Sequence, residues 1–264
     1  MRQINKHIKS LTSLYKGDAI FVYQMGKVGS SSIESSLELA GIKSFHLHTL
    51  FGATSNYNFD YGNNGFFRGI KFGLLRSLYK KALTSGNKVK IISLMRDPIG
   101  RNISTLFQEL PRMLYLESLK NNREEKCANE TLSHLFDLYV NEKIPIQWFS
   151  NEFKYSTGID ILKYEFDKER GYLELKEGNV EVLLLTAEKL NDNIEVFNGF
   201  VGLDTQAFIS SNTSRKKWYA ELYLGYLNSY QPTSQTLDDL YNNEILRYFY
   251  SKEDLKKLRS KWSK

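Results

Sequence analysis

Twice in this chain a short apolar run stops at a turn and gives way to helical spacing, and no other feature restricts the fold as much. The first run, Asp18 to Met25 (DAIFVYQM), is β-branched and aromatic and stops at Gly26. A continuous apolar run bounded by glycine predicts a buried parallel strand. In Ser30 to Ala40 (SSSIESSLELA), Ile33, Leu37 and Ala40 fall at helical spacing, with serine as the predicted N-cap and Gly41 as the stop. The second run, Val89 to Met95 (VKIISLM), ends at Arg96-Asp97-Pro98, and helical periodicity resumes over Ile99 to Leu110 with proline at the helix start. Between the two, Lys43 to Thr49 alternates, so that Phe45 and Leu47 share one face and Ser44, His46 and His48 the other. A Gly/Asn-rich loop, 52–65, leads into a helix expected to end near Ser85 and Gly86. The order βαβαβα predicts an α/β protein: a parallel sheet flanked by helices.

Beyond this repeat, helices are expected over Thr131 to Glu142 and Pro145 to Tyr155. A hairpin is expected from Gly171 to Lys176 and Val180 to Thr186 around Glu177-Gly178-Asn179. From Lys189 onward the chain reads mostly helical, ending in Ser251 to Lys261 with Ser251 and Asp254 near capping-box spacing. With only four prolines and no Gly/Ser-rich stretch, 264 residues offer no linker, and a single domain over 1–264 is expected. One cysteine, Cys127, closes no internal disulfide, and no Cys/His group has zinc spacing, so neither a disulfide framework nor a metal is expected. The absence of a long apolar run predicts no membrane span and a cytoplasmic location. The excess of 36 basic over 30 acidic residues, net +6, is spread along the chain. It points to an anionic partner but not to nucleic acid, which would ask for a basic block.

The turns themselves carry the chemistry. Gly26-Lys27-Val28-Gly29-Ser30-Ser31-Ser32 passes from strand to helix, where backbone N–H groups and the helix start favour an anion, phosphate above all. Lys27 precedes Gly29 by two, so the loop is P-loop-like without being a Walker loop. In the second turn Arg96 lies at the strand's C-terminal edge and Ser104 further along the next helix, a guanidinium and a hydroxyl suited to a second phosphate. The plainer alternative pairs Arg96 with Asp97 or Glu109 on the surface.

Together, in this order, the loops resemble those of the sulfotransferases that use 3′-phosphoadenosine 5′-phosphosulfate (PAPS). Lys27, Gly29, Ser30 and Ser31 match the loop that holds the 5′-phosphosulfate in that superfamily, with Gly26 in place of the common proline. Arg96, Pro98, Arg101 and Ser104 match the segment that holds the 3′-phosphate through its first arginine and last serine. The stretch Asn212 to Tyr219 (NTSRKKWY) is similar to the Asn…Lys-Trp-Tyr motif of a bacterial family of capsular polysaccharide synthesis proteins. That similarity extends through Asn151 to Asp160, Leu183 to Leu190 and the tail from Phe249.

The resemblance implies PAPS as co-substrate without a metal, and a hydroxyl-bearing acceptor, saccharide or small alcohol. It makes Lys27 the cation on the leaving group, and Gly29, Ser30, Ser31, Ser32, Arg96, Ser104, Arg215, Lys216 and Lys217 the donor-binding set. A base near neutral pH is most naturally histidine. His48, near the end of its strand, ranks ahead of His46, and Glu109 is the fallback. Paired histidines on a polar strand face are also common as plain surface groups. Two other classes stay open: a P-loop-like kinase, and a non-catalytic nucleotide-binding protein of polysaccharide assembly.

Overall fold

Among the described residues, five strands form one sheet in the order β2-β1-β3-β5-β4. They are β1 (Ile20–Tyr23), β2 (Ser44–Leu47), β3 (Val89–Met95), β4 (Tyr172–Glu177) and β5 (Val180–Thr186). Pairing is parallel throughout except for β4, which returns antiparallel along β5 through the expected hairpin turn. The computed structural model describes residues 20–49, 86–120, 128–140, 142–209 and 217–263, with Thr12, Ser13, Lys16, Ser77, Lys81 and Leu83. The Gly/Asn-rich loop and most of the helix expected after it lie outside the described residues.

β1 is buried along its whole length and β3 nearly so, which accounts for their unbroken apolar sequences. The register sets which side chains share an edge: Val22 lies opposite His46 on one side and Ile92 on the other. Continuing that register places Gln24 level with His48 on the same face, at the C-terminal edge where open α/β sheets bind ligands.

The described helices are, in order, α1 (Ser30–Leu39), α2 (Pro98–Lys120), α3 (Ala128–Tyr139), α4 (Ile144–Trp148), α5 (Lys154–Thr157), α6 (Ile194–Val201), α7 (Ala220–Ser229), α8 (Ser234–Tyr241), α9 (Glu244–Phe249) and α10 (Lys252–Trp262). α1 ends as expected: the N–H of Gly41, in the left-handed region at φ 71°, bonds Glu38 O, and that of Ile42 bonds Leu37 O at 2.8 Å. Its start differs from expectation. The N-cap is Gly29, with no side-chain cap, and Ser30 already belongs to the helix.

α2 does not stop near Leu110; it runs through Pro111. Proline there forfeits one backbone bond, but Leu110 and Met113 on either side are fully buried, and tertiary packing outweighs the local penalty. α4 and α5 are joined by a π-helical turn, Phe149–Phe153. At the C-terminus, the Ser251 side chain accepts the Asp254 N–H at 3.1 Å, confirming the expected cap. Among the described residues one apolar cluster runs from Ile20 to Trp262, and no helix is long and apolar enough to cross a membrane.

Candidate anion-binding and acid-base site

The turn after β1 is shaped by three left-handed residues: Gly26 at φ 90°, Lys27 at 63° and Gly29 at 90°. Glycine adopts this conformation freely; a lysine does so only where its surroundings hold it. Those surroundings come from the second loop. Arg101 donates from Nη2 to Met25 O at 2.9 Å and from Nε to Gly26 O at 3.1 Å, and Arg96 Nη1 donates to Lys27 O at 2.9 Å. Three successive loop carbonyls are therefore turned onto guanidinium groups, which neutralises the negative ends of the loop's peptide dipoles. The N–H of Gly26 is taken by Gln24 Oε1, so it is not among the donors left for a ligand.

The second loop divides its own labour. Asp97 caps α2 by accepting the Gly100 N–H at 3.2 Å, and it also takes Tyr241 OH at 2.5 Å and Trp262 Nε1 at 3.1 Å. Its own N–H donates to Glu188 at 2.8 Å, whose other oxygen takes Tyr250 OH. Burial pushes the Glu188 carboxyl up, opposed by those hydrogen bonds. Asp97 is thus committed to the C-terminal helices and does not pair with Arg96. Glu109 faces Arg112 at 4.0 Å, and five residues of helix set it about 140° round α2 from Ser104. The surface-pair alternative for Arg96 is not what the structure holds. Arg96 instead reaches Ser104 Oγ at 3.4 Å, the juxtaposition that the spacing predicted.

Lys217 completes the group. It enters with the turn before α7, whose Tyr219 and Tyr223 pack on Phe107 of α2 at ring distances of 5.5 and 5.2 Å. The neighbouring Trp218 is 73% exposed. The Lys27 ammonium is pulled down to about 8, first by burial and then by the positive charge of Lys217, Arg96 and Arg101. Among the described residues no carboxylate stands within ion-pair distance of Lys27, Arg96 or Lys217. A cluster of cations held together without counter-charge is a site for an anion. Ser30 is buried and Ser31 and Ser32 half-buried at the start of α1; Arg215 and Lys216 lie outside the described residues.

Beside the loop sits a polar cluster on the β1–β2 face. His46 Nδ1 lies 2.7 Å from Glu34 Oε2, and its Nε2 lies 2.5 Å from Gln24 Nε2 and 3.3 Å from Ser30 Oγ. The two imidazoles meet edge to face at 4.5 Å. His48 Nδ1 lies 3.1 Å from Gln24 O, and its own carbonyl accepts Trp148 Nε1 at 2.9 Å. His48 is an exposed residue, yet the protein around its ring is dense enough that desolvation, with the charge of His46, lowers its pKa to about 4.

Sequence reasoning missed Gln24 and Glu34. Half of the signal for Gln24 was present, in that it is the one strongly polar side chain between Ala19 and Met25; that it shares a face with His46 and His48 comes only from the β1–β2 register. Glu34, one helical turn after Ser30, reads as an ordinary solvated charge until the β1–β2 register brings His46 to it.

The class that fold and site define is an open, mostly parallel α/β protein with a cluster of cations at the C-terminal sheet edge and a carboxylate-linked histidine beside it. No family model, no curated protein and no solved structure matches the chain.

Proposed function

We propose that the chain transfers a sulfuryl group from PAPS to a hydroxyl acceptor, in the cytoplasm. The observation that carries this reading is the convergence of Lys27, Arg96 with Ser104, and Lys217, uncompensated by carboxylates, next to the histidine pair. Two phosphate-sized demands, one at the α1 loop and one at Arg96 and Ser104, fit a nucleotide with separate 5′ and 3′ anions. In the transfer, the acceptor oxygen forms a bond to sulfur as the bond from sulfur to the bridging oxygen breaks. The acceptor proton passes to a histidine, and adenosine 3′,5′-bisphosphate leaves with Lys27 on the departing oxygen.

Of the two candidate bases, geometry favours His46 over His48. An imidazole pulled to about 4 is a weak proton acceptor, whereas His46 has a carboxylate on its other nitrogen.

The reading is tested by incubating the protein with radiolabelled PAPS and a panel of saccharide and small-alcohol acceptors, with calorimetry of adenosine 3′,5′-bisphosphate with and without EDTA. Label transfer and chelator-independent binding are expected. A preference for ATP, or binding that collapses on chelation, would point to a kinase; tight binding with no transfer to any acceptor would point to a non-catalytic nucleotide-binding protein.

A further inference from the structure

The side chain of Gln24 stands between the anion loop and the histidines and is fully buried. Its contacts to Gly26, Ser30 and His46, with the one from His46 to Glu34, form a chain of donors and acceptors that is consistent in one direction. The Gly26 N–H can only donate, so the amide atom it meets is the oxygen, and the amide nitrogen faces the other way. That nitrogen lies 2.9 Å from Ser30 Oγ and 2.5 Å from His46 Nε2. Since it too can only donate, His46 Nε2 must carry the lone pair and Nδ1 the hydrogen. Nδ1 meets Glu34 Oε2 at 2.7 Å, a carboxylate that accepts. His48 has no such agreement: its Nδ1 faces both a carbonyl, Gln24 O at 3.1 Å, and an amide nitrogen, Gln24 Nε2 at 3.3 Å, which ask for opposite tautomers.

We propose that Gln24 and Glu34 are positioning residues that clamp His46 in the Nδ1–H tautomer, with the Nε2 lone pair directed toward Ser30 and the anion loop. One amide thereby joins the loop to the base: its oxygen holds the turn at Gly26 while its nitrogen sets which imidazole nitrogen is open to a proton. The catalytic meaning of the clamp rests on the sulfuryl-transfer reading, but the tautomer is a property of the chain alone. During transfer the acceptor hydroxyl takes over from the amide N–H as the donor to Nε2, and Glu34 faces the imidazolium that forms.

The experiment is imidazole ¹⁵N NMR on the full chain above the histidine titration range, with turnover and adenosine 3′,5′-bisphosphate affinity measured on the same samples. Wild-type His46 should appear as a single Nδ1–H tautomer and His48 as a mixture. In Glu34→Gln the Nε2–H form of His46 should rise and turnover fall about 10- to 100-fold, while nucleotide affinity changes less than about twofold, since the loss falls on the His46 contact of Glu34. Glu34 is partly exposed, so this variant keeps the core intact, and Glu34→Asp should recover part of both losses. A wild-type His46 carrying its hydrogen on Nε2, or a Glu34→Gln protein with unchanged tautomer, would overturn the clamp. A wild-type protein with the expected tautomer but no sulfuryl transfer would leave the clamp standing and sink the functional reading instead.

Discussion

Arg101 and Lys27 belong to one group of cations, yet they serve opposite ends. The Arg101 side chain is wholly buried and its guanidinium is directed at Met25 O, Gly26 O and Asn102 Oδ1. Lys27 is half-buried, held in a left-handed backbone conformation, and crowded by other positive charges. The difference teaches that a basic residue in a loop motif is assigned to fold or to ligand by asking which acceptors it already has. The backbone carbonyls use up Arg101; they leave Lys27 with its charge uncompensated.

If that division is right, Arg101→Ala should have the largest effect. Stranding two buried loop carbonyls should cost about 3–5 kcal/mol of stability, read by denaturant unfolding, and Arg101→Lys should not restore it because the forked geometry is lost. Lys27→Gly should behave in the opposite way. Turnover should fall by about 10²- to 10³-fold. The free protein should gain about 0.5–1 kcal/mol, as relief of left-handed strain is offset in part by the freedom of glycine in the unfolded chain. A destabilised Lys27→Gly protein would show that the lysine supports the fold after all.

Arg96 falls between the two, since it touches both Ser104 and Lys27 O. Arg96→Ala should weaken adenosine 3′,5′-bisphosphate by about 1.5–3 kcal/mol and a nucleotide with only a 5′-phosphate by about 0.5–1.5 kcal/mol, measured by calorimetry. Equal losses would place Arg96 beside Arg101 as a structural residue.

The smallest effect is the dependence on pH. A bound anion must raise the Lys27 pKa from its free value of about 8, so binding takes up a proton above that pH and affinity falls as pH rises through about 8. The fall should be at most about tenfold per pH unit, and it should vanish in Lys27→Met.

How much of this was legible beforehand depends on where each contact comes from. The two strand ends, the αL-prone glycine loop and the pairing of Arg96 with Ser104 rest on local spacing and were readable. The run of α2 through Pro111 was not, because burial of Leu110 and Met113 decides it. Gln24, Glu34 and the ranking of His46 against His48 depend on the register of β1 against β2, which alternation alone does not specify. The capping of α1 by Gly29 rather than serine is of the same kind: Ser30 Oγ is drawn to Gln24 and His46 instead.

The antiparallel edge of the sheet has a consequence for the order in which the molecule assembles. β4 and β5 are joined by a tight turn at Gly178 and Asn179, and such a hairpin closes in about 1–10 μs. β1 and β3, by contrast, are separated by α1, β2 and the long connection after it, so their pairing carries a far larger loop-closure entropy. Among the parallel pairs β1 meets β2 at the shortest chain separation, Ile20 against Ser44, while β3 meets β5 at the longest, Val89 against Val180. The cationic turn, whose carbonyls need Arg96 and Arg101 from beyond β3, therefore takes shape only once β1 and β3 have paired, and a chain without that pairing lacks the cluster of cations on which the proposed nucleotide binding depends.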